Sequence, residues 1–247
     1  MVRKFGLAAL MVCFLSAAAL AADKTYIVAT DATWPPMQMV NAEKEVEGFE
    51  CDYIRAVAKE AGIKVEIRNI AWDGIFASLG TRQADIIASS VTITDKRKKA
   101  LGLTEPFYAV RQAVIVPINV EVKTLAELDG KKIGGQIGTT GLIETLPKNK
   151  SKAEVKTYDE VALAIEDLVK GNIDAVICDD PIAKYYVHRK QEYSNQLRVA
   201  FVTEPPEYYG FAVRKEDKAL LDALNKGIKL VQEKGIDKEI ALKWLGE

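Results

Sequence analysis

The stretch ADIIASSVTITDKRKKA, residues 84–100, opens as a buried strand with Ile86 and Ile87 and then changes character. Ser89, Ser90, Thr92, Thr94 and Arg97 crowd the point where the strand ends and a helix starts. Hydroxyls and a guanidinium fill a core poorly but suit the capture of a small charged ligand. In open α/β sheets ligands sit outside the carboxyl ends of the strands, so this one segment predicts both a parallel sheet and the edge of a site.

Upstream, short β-rich runs alternate with helical patterns: TYIVAT from Thr25, a helix from about Phe49, KVEIRNI from Lys64 and a short helix from Asp73. That alternation predicts α/β folding with parallel strands. Phe49, Tyr53 and Val57 recur at four-residue spacing, and Leu220, Leu224, Ile228 and Val231 repeat the pattern near the C-terminus, so both are amphipathic helices with a buried stripe. Ile236, Ile240 and Trp244 predict a last helix packed on the core.

AWDGIFASLGTRQADIIASS (71–90) and TYDEVALAIEDLVKGNIDAVICDD (157–180) share an aromatic-Asp start, a helix, a polar turn and an apolar strand with a polar end. KKIGGQIGTTG (131–141) adds a second strand running into a polar loop and a helix. Two similar lobes facing each other would bring both polar ends onto one ligand. PFYAVRQAVIVP (106–117) and EYYGFAVRK (207–215) read as extended strands crossing between the lobes, and such a pair makes a hinge. The predicted division is lobe 1 from residues 22–109 and 208–247, discontinuous in sequence, and lobe 2 from residues 110–207.

Arg3 and Lys4 precede the apolar run FGLAALMVCFLSAAALAA, which closes on small residues, the pattern of a secretory signal peptide. Residues 1–21 are therefore excluded from the fold, and the expected location is the periplasm, with the signal peptide cleaved. Removing Arg3 and Lys4 leaves 32 basic against 35 acidic residues, a net charge of −3 that gives no basic footprint for nucleic acid. Cys51 and Cys178 do not form a disulfide framework, and free thiols are expected, since a bond between the two lobes would pin the hinge. His188 is the one histidine, so no transition-metal site is expected. GGQIGTTG lacks the lysine of a phosphate loop, and no cofactor is expected.

DATWPP, VEGFECDYI, AWDGIFASL, ADIIASSVTITDKRKKA, EPFY, GTTG, NIDAVICDD and YYGFAVRK fall in one order along the chain. In that order the chain resembles the periplasmic polar amino acid binding proteins, the bacterial extracellular solute-binding proteins of family 3, over essentially its whole mature length. Thr92 to Arg97 is the most specific piece. The resemblance implies a two-lobed type II periplasmic binding protein, a monomer, that closes on one amino acid and presents it to the membrane permease of an ABC importer.

A zwitterion can be buried only if each charge meets a partner. Arg97 suits the carboxylate with two parallel hydrogen bonds, and backbone N–H groups near Thr92 and Thr140 add donors. By resemblance, Asp179, the Ser90 carbonyl and the Thr92 hydroxyl receive the ammonium. Ser89 is read as a neighbour. Asp179 could instead cap the helix that starts at Pro181; the ligand role goes to Asp179 and the cap to Asp180. Also by resemblance, Trp34 and Trp72 wall the side-chain pocket, although either could be plain core, and Asp31 meets an amide or a cationic end. That favours Gln, Arg, Lys or His. Gln136, Thr139 and Thr140 complete the expected set. Gly141, Cys178 and LGLTEPF depart from the family pattern and leave the specificity open.

The same fold also carries cyclohexadienyl dehydratases, in which an acid in the cleft, here Asp179 or Asp180, would act on arogenate or prephenate. A sensor domain is a third class. An ending at Glu247 without a membrane span favours delivery to a transporter.

Overall fold

The structure is a computed structural model that describes residues 24–246; the signal segment read at residues 1–21 lies outside them. Its first sheet grows from β1 (Thr25–Thr30), whose Val28 and Ala29 are buried on opposite faces. Three short strands follow, β2 (Thr33–Trp34), β3 (Gln38–Val40) and β4 (Val46–Glu47), and form a small antiparallel sheet of their own. β1 pairs in parallel with β5 (Lys64–Asn69), Val28 opposite Ile67, and on its other side with β6 (Ile86–Ile87), Val28 opposite Ile86. After β6 and β7 (Leu101–Leu103), the chain crosses over through β8 (Tyr108–Val110) into β9 (Gln112–Pro117).

The second sheet repeats the first. β10 (Lys132–Gln136) lies in parallel between β11 (Glu154–Tyr158) and β12 (Ala175–Asp179), and β9 runs antiparallel between β12 and β13 (Leu197–Val202). The chain returns through β14 (Glu207–Tyr209), antiparallel to β8, into β15 (Ala212–Arg214), which inserts antiparallel between β6 and β7. The strand orders are β5-β1-β6-β15-β7 and β11-β10-β12-β9-β13, so each lobe holds one strand that runs against its parallel core. The internal echo in the sequence is this shared topology, and the β8–β14 ribbon is the pair of crossing strands expected of the hinge.

Helix α1 (Phe49–Ala61) starts where the chain passes close to residues 36–38. The N–H groups of Phe49 and Glu50 donate to the carbonyls of Pro36 and Met37, both at 3.0 Å, which satisfies two of the donors that a helix start leaves open. Gly48 sits at φ +134°, and a Cβ there would lie 2.3 Å from the Met37 oxygen, so only glycine fits. α2 (Trp72–Gly80) and α3 (Asp95–Ala100) flank the first sheet, and Thr94 caps α3 by accepting from the Arg97 N–H at 3.2 Å.

In the second lobe the polar loop after β10 runs into a π-helical turn, Gly141–Thr145, and one turn of α4 (Leu146–Lys148). The sequence predicts an ordinary helix start there; Pro147 interrupts the donor pattern and the segment winds more loosely. α5 (Val161–Val169) and α6 (Asp180–Lys184) complete the lobe.

Both expected apolar stripes are buried. Phe49, Tyr53 and Val57 of α1 meet Leu220, Leu224, Ile228 and Val231 of α7 (Lys218–Glu233), which returns the C-terminal segment to the first lobe. Each such side chain contributes about 1.5–3 kcal/mol when buried. α8 (Ile236–Leu245) lies further out: Ile236, Ile240 and Trp244 are half-buried on the rim of the core rather than inside it. Trp244 and Lys243 hold it to α1 through Asp52, at 2.8 and 2.7 Å. No helix among the described residues is long and apolar enough to cross a membrane.

Candidate ligand-binding site

The carboxyl ends of the parallel strands in both lobes converge. Asp31 follows β1, Ser89, Ser90 and Thr92 follow β6, Gln136 ends β10 and leads to Thr139 and Thr140, and Asp179 ends β12. With Trp34 of β2, Trp72 at the start of α2 and Arg97 of α3, these side chains line one cavity with about 330 Å³ of empty space. That space includes the opening to solvent; the room that the centres of water molecules can occupy is only about 20 Å³, so the lining side chains nearly fill the cleft. Every residue expected at the site from the sequence is in this lining, together with Ser89.

Arg97 donates from Nη1 to the Thr92 carbonyl at 2.9 Å, which aims the guanidinium along the cavity wall. Its central carbon lies 5.6 Å from the Trp72 ring centre and 5.2 Å from that of Phe76. Trp72, expected as a wall for a ligand side chain, thus meets Arg97, and Phe76 is a partner the sequence did not single out. Burial disfavours the charged form of Arg97, while Asp179, Glu144 and Glu207 favour it.

Asp179 is buried and receives a donor on each oxygen: the Tyr209 hydroxyl on Oδ2 and Gln112 Nε2 on Oδ1, the latter at 2.5 Å. Burial pushes this carboxyl up to about 7; the two hydrogen bonds oppose the rise, and the Glu207 and Asp180 charges add to it. The cap expected from Asp180 is not formed. Asp180 is the first residue of α6, where its Oδ1 accepts from the Arg111 N–H at 3.0 Å and Oδ2 pairs with Lys184 at 3.1 Å. The cap position falls on Asp179 itself, whose carboxylate makes no cap bond and turns to the cavity.

Asp31 accepts from Gln136 Nε2 at 2.9 Å and from the Thr33 hydroxyl at 2.8 Å, while its N–H donates to Ser89 Oγ at 2.9 Å. Burial raises its carboxyl above the usual range, and the Thr33 and Gln136 bonds offset part of that. Trp34 Nε1 is buried without a hydrogen-bond partner. The hydroxyls of Thr92 and Thr140 meet across the lobes at 3.3 Å, and Thr139 turns back to the Gln136 carbonyl at 2.7 Å.

Behind Ser90 lies a buried polar knot. Ser90 has φ +51°, a left-handed backbone for a residue with a Cβ, and its N–H donates to Glu50 Oε2 at 2.6 Å. Gln38 Nε2 donates to the same carboxyl and to Ser90 Oγ. Burial pushes Glu50 up to about 8.

Sequence reasoning missed Glu50, Gln112, Glu207 and Tyr209 as parts of the site. Glu50 could have been found: it precedes Ile54 and Ala58 by four and eight positions, on the buried face of α1. Alternation along β14 likewise places Glu207 and Tyr209 on one face. Gln112 carries no such signal. Gly141, read as a departure from the family pattern, has a structural reason: a Cβ there would lie 2.6 Å from Gln112 Oε1. Cys178, expected near the pocket, is instead core, packed among the buried residues of β12, α5 and α6, and Cys51 is buried in α1; both are free thiols. Among the described residues there is no cluster of three or more metal-ligating side chains.

The profile of the bacterial extracellular solute-binding proteins, family 3, matches residues 26–247. The chain is 32% identical over 248 residues to the ABC transporter arginine-binding protein 1 of Escherichia coli (strain K12), covering 98% of each. The structure is similar to the arginine-, lysine-, histidine-binding protein ArtJ of Geobacillus stearothermophilus, with a TM-score of 0.83 at 33% identity over 91% of this chain and 96% of that one. It is also similar to the ancestral amino acid-binding protein AncCDT-1, a precursor of cyclohexadienyl dehydratase, with a TM-score of 0.82 at 31% identity over 93% and 99%. Two lobes of shared topology, polar strand ends meeting between them and a family match over nearly the whole described chain lead to one conclusion: the chain belongs to the bacterial extracellular solute-binding proteins, family 3.

Proposed function

We propose that this protein captures one polar or basic L-amino acid, Arg, Lys, His or Gln, in the periplasm by closure of its lobes and delivers it to the membrane permease of an ABC importer. On this reading residues 1–21 are removed, residues 22–109 and 208–247 form lobe 1, and residues 110–207 form lobe 2. The boundaries fall within β8 and β14, where a hinge is expected. The protein works as a monomer without a cofactor or metal, and it is a receptor rather than an enzyme.

One observation carries the reading: the cavity is lined by one guanidinium, Arg97, and two carboxylates, Asp31 and Asp179. Arg97 takes the ligand carboxylate, with amides near Thr92 and Thr140. Asp179, the Ser90 carbonyl and the Thr92 hydroxyl take the ammonium. Asp31, Gln136 and Thr139 meet the side-chain end, and Trp34 and Trp72 enclose its stem. A zwitterion satisfies Arg97 and one carboxylate; a further positive charge satisfies the second, which favours Arg, Lys or His over Gln. The relatives named for arginine, and for arginine, lysine and histidine, support that order.

A thermal-shift screen of refolded, ligand-stripped mature protein against the twenty amino acids tests this. A ligand at 100 times its Kd adds about 2.7 kcal/mol to stability. A shift with basic amino acids is the expected result, and no shift with any amino acid refutes the reading. A second reading, an enzyme of the cyclohexadienyl dehydratase type, draws on the Asp179 carboxyl, which at about 7 could give up a proton near neutrality. The donors on both its oxygens suit an anion awaiting an ammonium better. Product absorbance with arogenate and prephenate separates the two.

A further inference from the structure

Asp179 is the last residue of β12 and stands directly opposite Gln112, the first residue of β9, in the antiparallel pair. Its other donor, Tyr209, ends β14 and is completely buried. The backbone of Tyr209 also bridges to Thr92, so the ring is held against the first lobe's polar loop while its hydroxyl reaches the second lobe's carboxylate. Two residues earlier on the same face, Glu207 Oε2 receives the Thr140 hydroxyl at 2.7 Å and Gln112 Nε2 at 3.2 Å. The Gln112 amide is thereby shared between two carboxylates.

Building on the amino acid reading of this cavity, we propose that Tyr209 is the positioning residue of the ammonium subsite, fixing the Asp179 carboxylate from the hinge strand, and that Glu207, on the same strand, works against it. A hydrogen bond to the charged form of an acid favours that form, and a like charge nearby disfavours it. The hinge strand therefore carries both controls on the group that meets the ligand's positive charge. The remaining charged or titratable groups around Asp179 are Asp180 and Cys178 beside it in the chain, Arg97 from α3 and Glu50 from α1 behind Tyr209. None of them sits on the hinge strand. Below the Asp179 midpoint the arriving ammonium displaces the carboxyl proton to solvent and the ion pair replaces it; above the midpoint the anion already waits for it.

The two controls have opposite signs, and a role in packing alone would not. The test is carbon-13 NMR titration of the aspartate carboxyls in full mature protein, with Asp179→Asn to assign the signal. Relative to the wild type, Tyr209→Phe raises the Asp179 midpoint and Glu207→Gln lowers it, each by about one pH unit. Arginine affinity follows: in each protein it falls tenfold per pH unit below that protein's own midpoint. Midpoints that do not move, or a Tyr209→Phe loss of affinity that is equal at every pH, overturn the inference while leaving amino acid binding intact. An Asp179 signal that no amino acid perturbs in the wild type overturns the reading of the cavity and the inference with it.

Discussion

The carboxylate of Asp31, at the end of β1, accepts a 2.9 Å hydrogen bond from Nε2 of Gln136, at the end of β10. At this point the two lobes meet through a charge and an amide. Gln136 is braced from its own lobe, since the same Nε2 donates to the Asp159 carbonyl at 2.8 Å. On the proposed reading a group that enters between them must match the polarity of both, and ligand side chains are sorted at this pair.

Asp31→Asn keeps the shape of that pair and removes its charge. We expect it to weaken arginine, lysine and histidine by about 2 kcal/mol or more and glutamine far less, because only a cation loses a buried charge partner. Calorimetric titration of the four amino acids checks this, and an equal loss for all four would remove Asp31 from side-chain selection.

Arg97→Ala should abolish binding while the protein stays folded, because the guanidinium is half-buried and no core stripe depends on it. Arg97→Lys should rescue little: an ammonium cannot give the two parallel bonds that a carboxylate takes from a guanidinium. Thermal melts followed by circular dichroism, beside the titrations, separate lost binding from lost fold.

The unliganded protein should lose stability as pH rises. Glu50 moves from an ordinary 4.5 to about 8 on folding, and Asp179 from 3.8 to about 7. Below about 3 both are largely protonated in either state and the folded form bears no penalty. Above that the unfolded chain ionises first, so stability falls until about 7 for Asp179 and about 8 for Glu50, by on the order of 10 kcal/mol at most in all. Urea midpoints at pH 5 and pH 9 read the effect; Glu50→Gln flattens the profile between them, and an unchanged slope in that variant refutes the assignment.

Gly141→Ala puts a methyl group 2.6 Å from Gln112 Oε1 and 3.3 Å from Ile177. Gln112 is itself pinned by Asp179, Thr140 and Glu207. The amide must shift, at a cost of about 1–3 kcal/mol, and Asp179 with it. Arginine affinity should drop about tenfold or more although residue 141 does not line the cavity; unchanged affinity would show that Gln112 can relax freely.

The lobes, the crossing strands and the strand-end residues were legible because each follows from a local pattern. Hydrophobic spacing marks the α1 and α7 stripes, and hydroxyls after Ile87 mark a strand end that is not core. The buried supports were not legible, since they depend on pairing across long separations. Tyr209 reaches Asp179 over thirty positions and Gln112 reaches it over sixty-seven, distances at which a single sequence carries no register. Asp180 was misread for the opposite reason: capping preference is local, and the Arg111 N–H from the crossing strand outcompeted it.

β15 stands between β6 and β7 in the first sheet, whereas every strand of the second sheet lies within residues 112–202. A chain that emerges N-terminus first can therefore assemble the second sheet while the first still has a gap at its middle, its β6 edge unpaired until residues 212–214 arrive. The half made earliest is completed last. A chain stopped after residue 207 keeps one sheet with all its strands and leaves the other with an open seam.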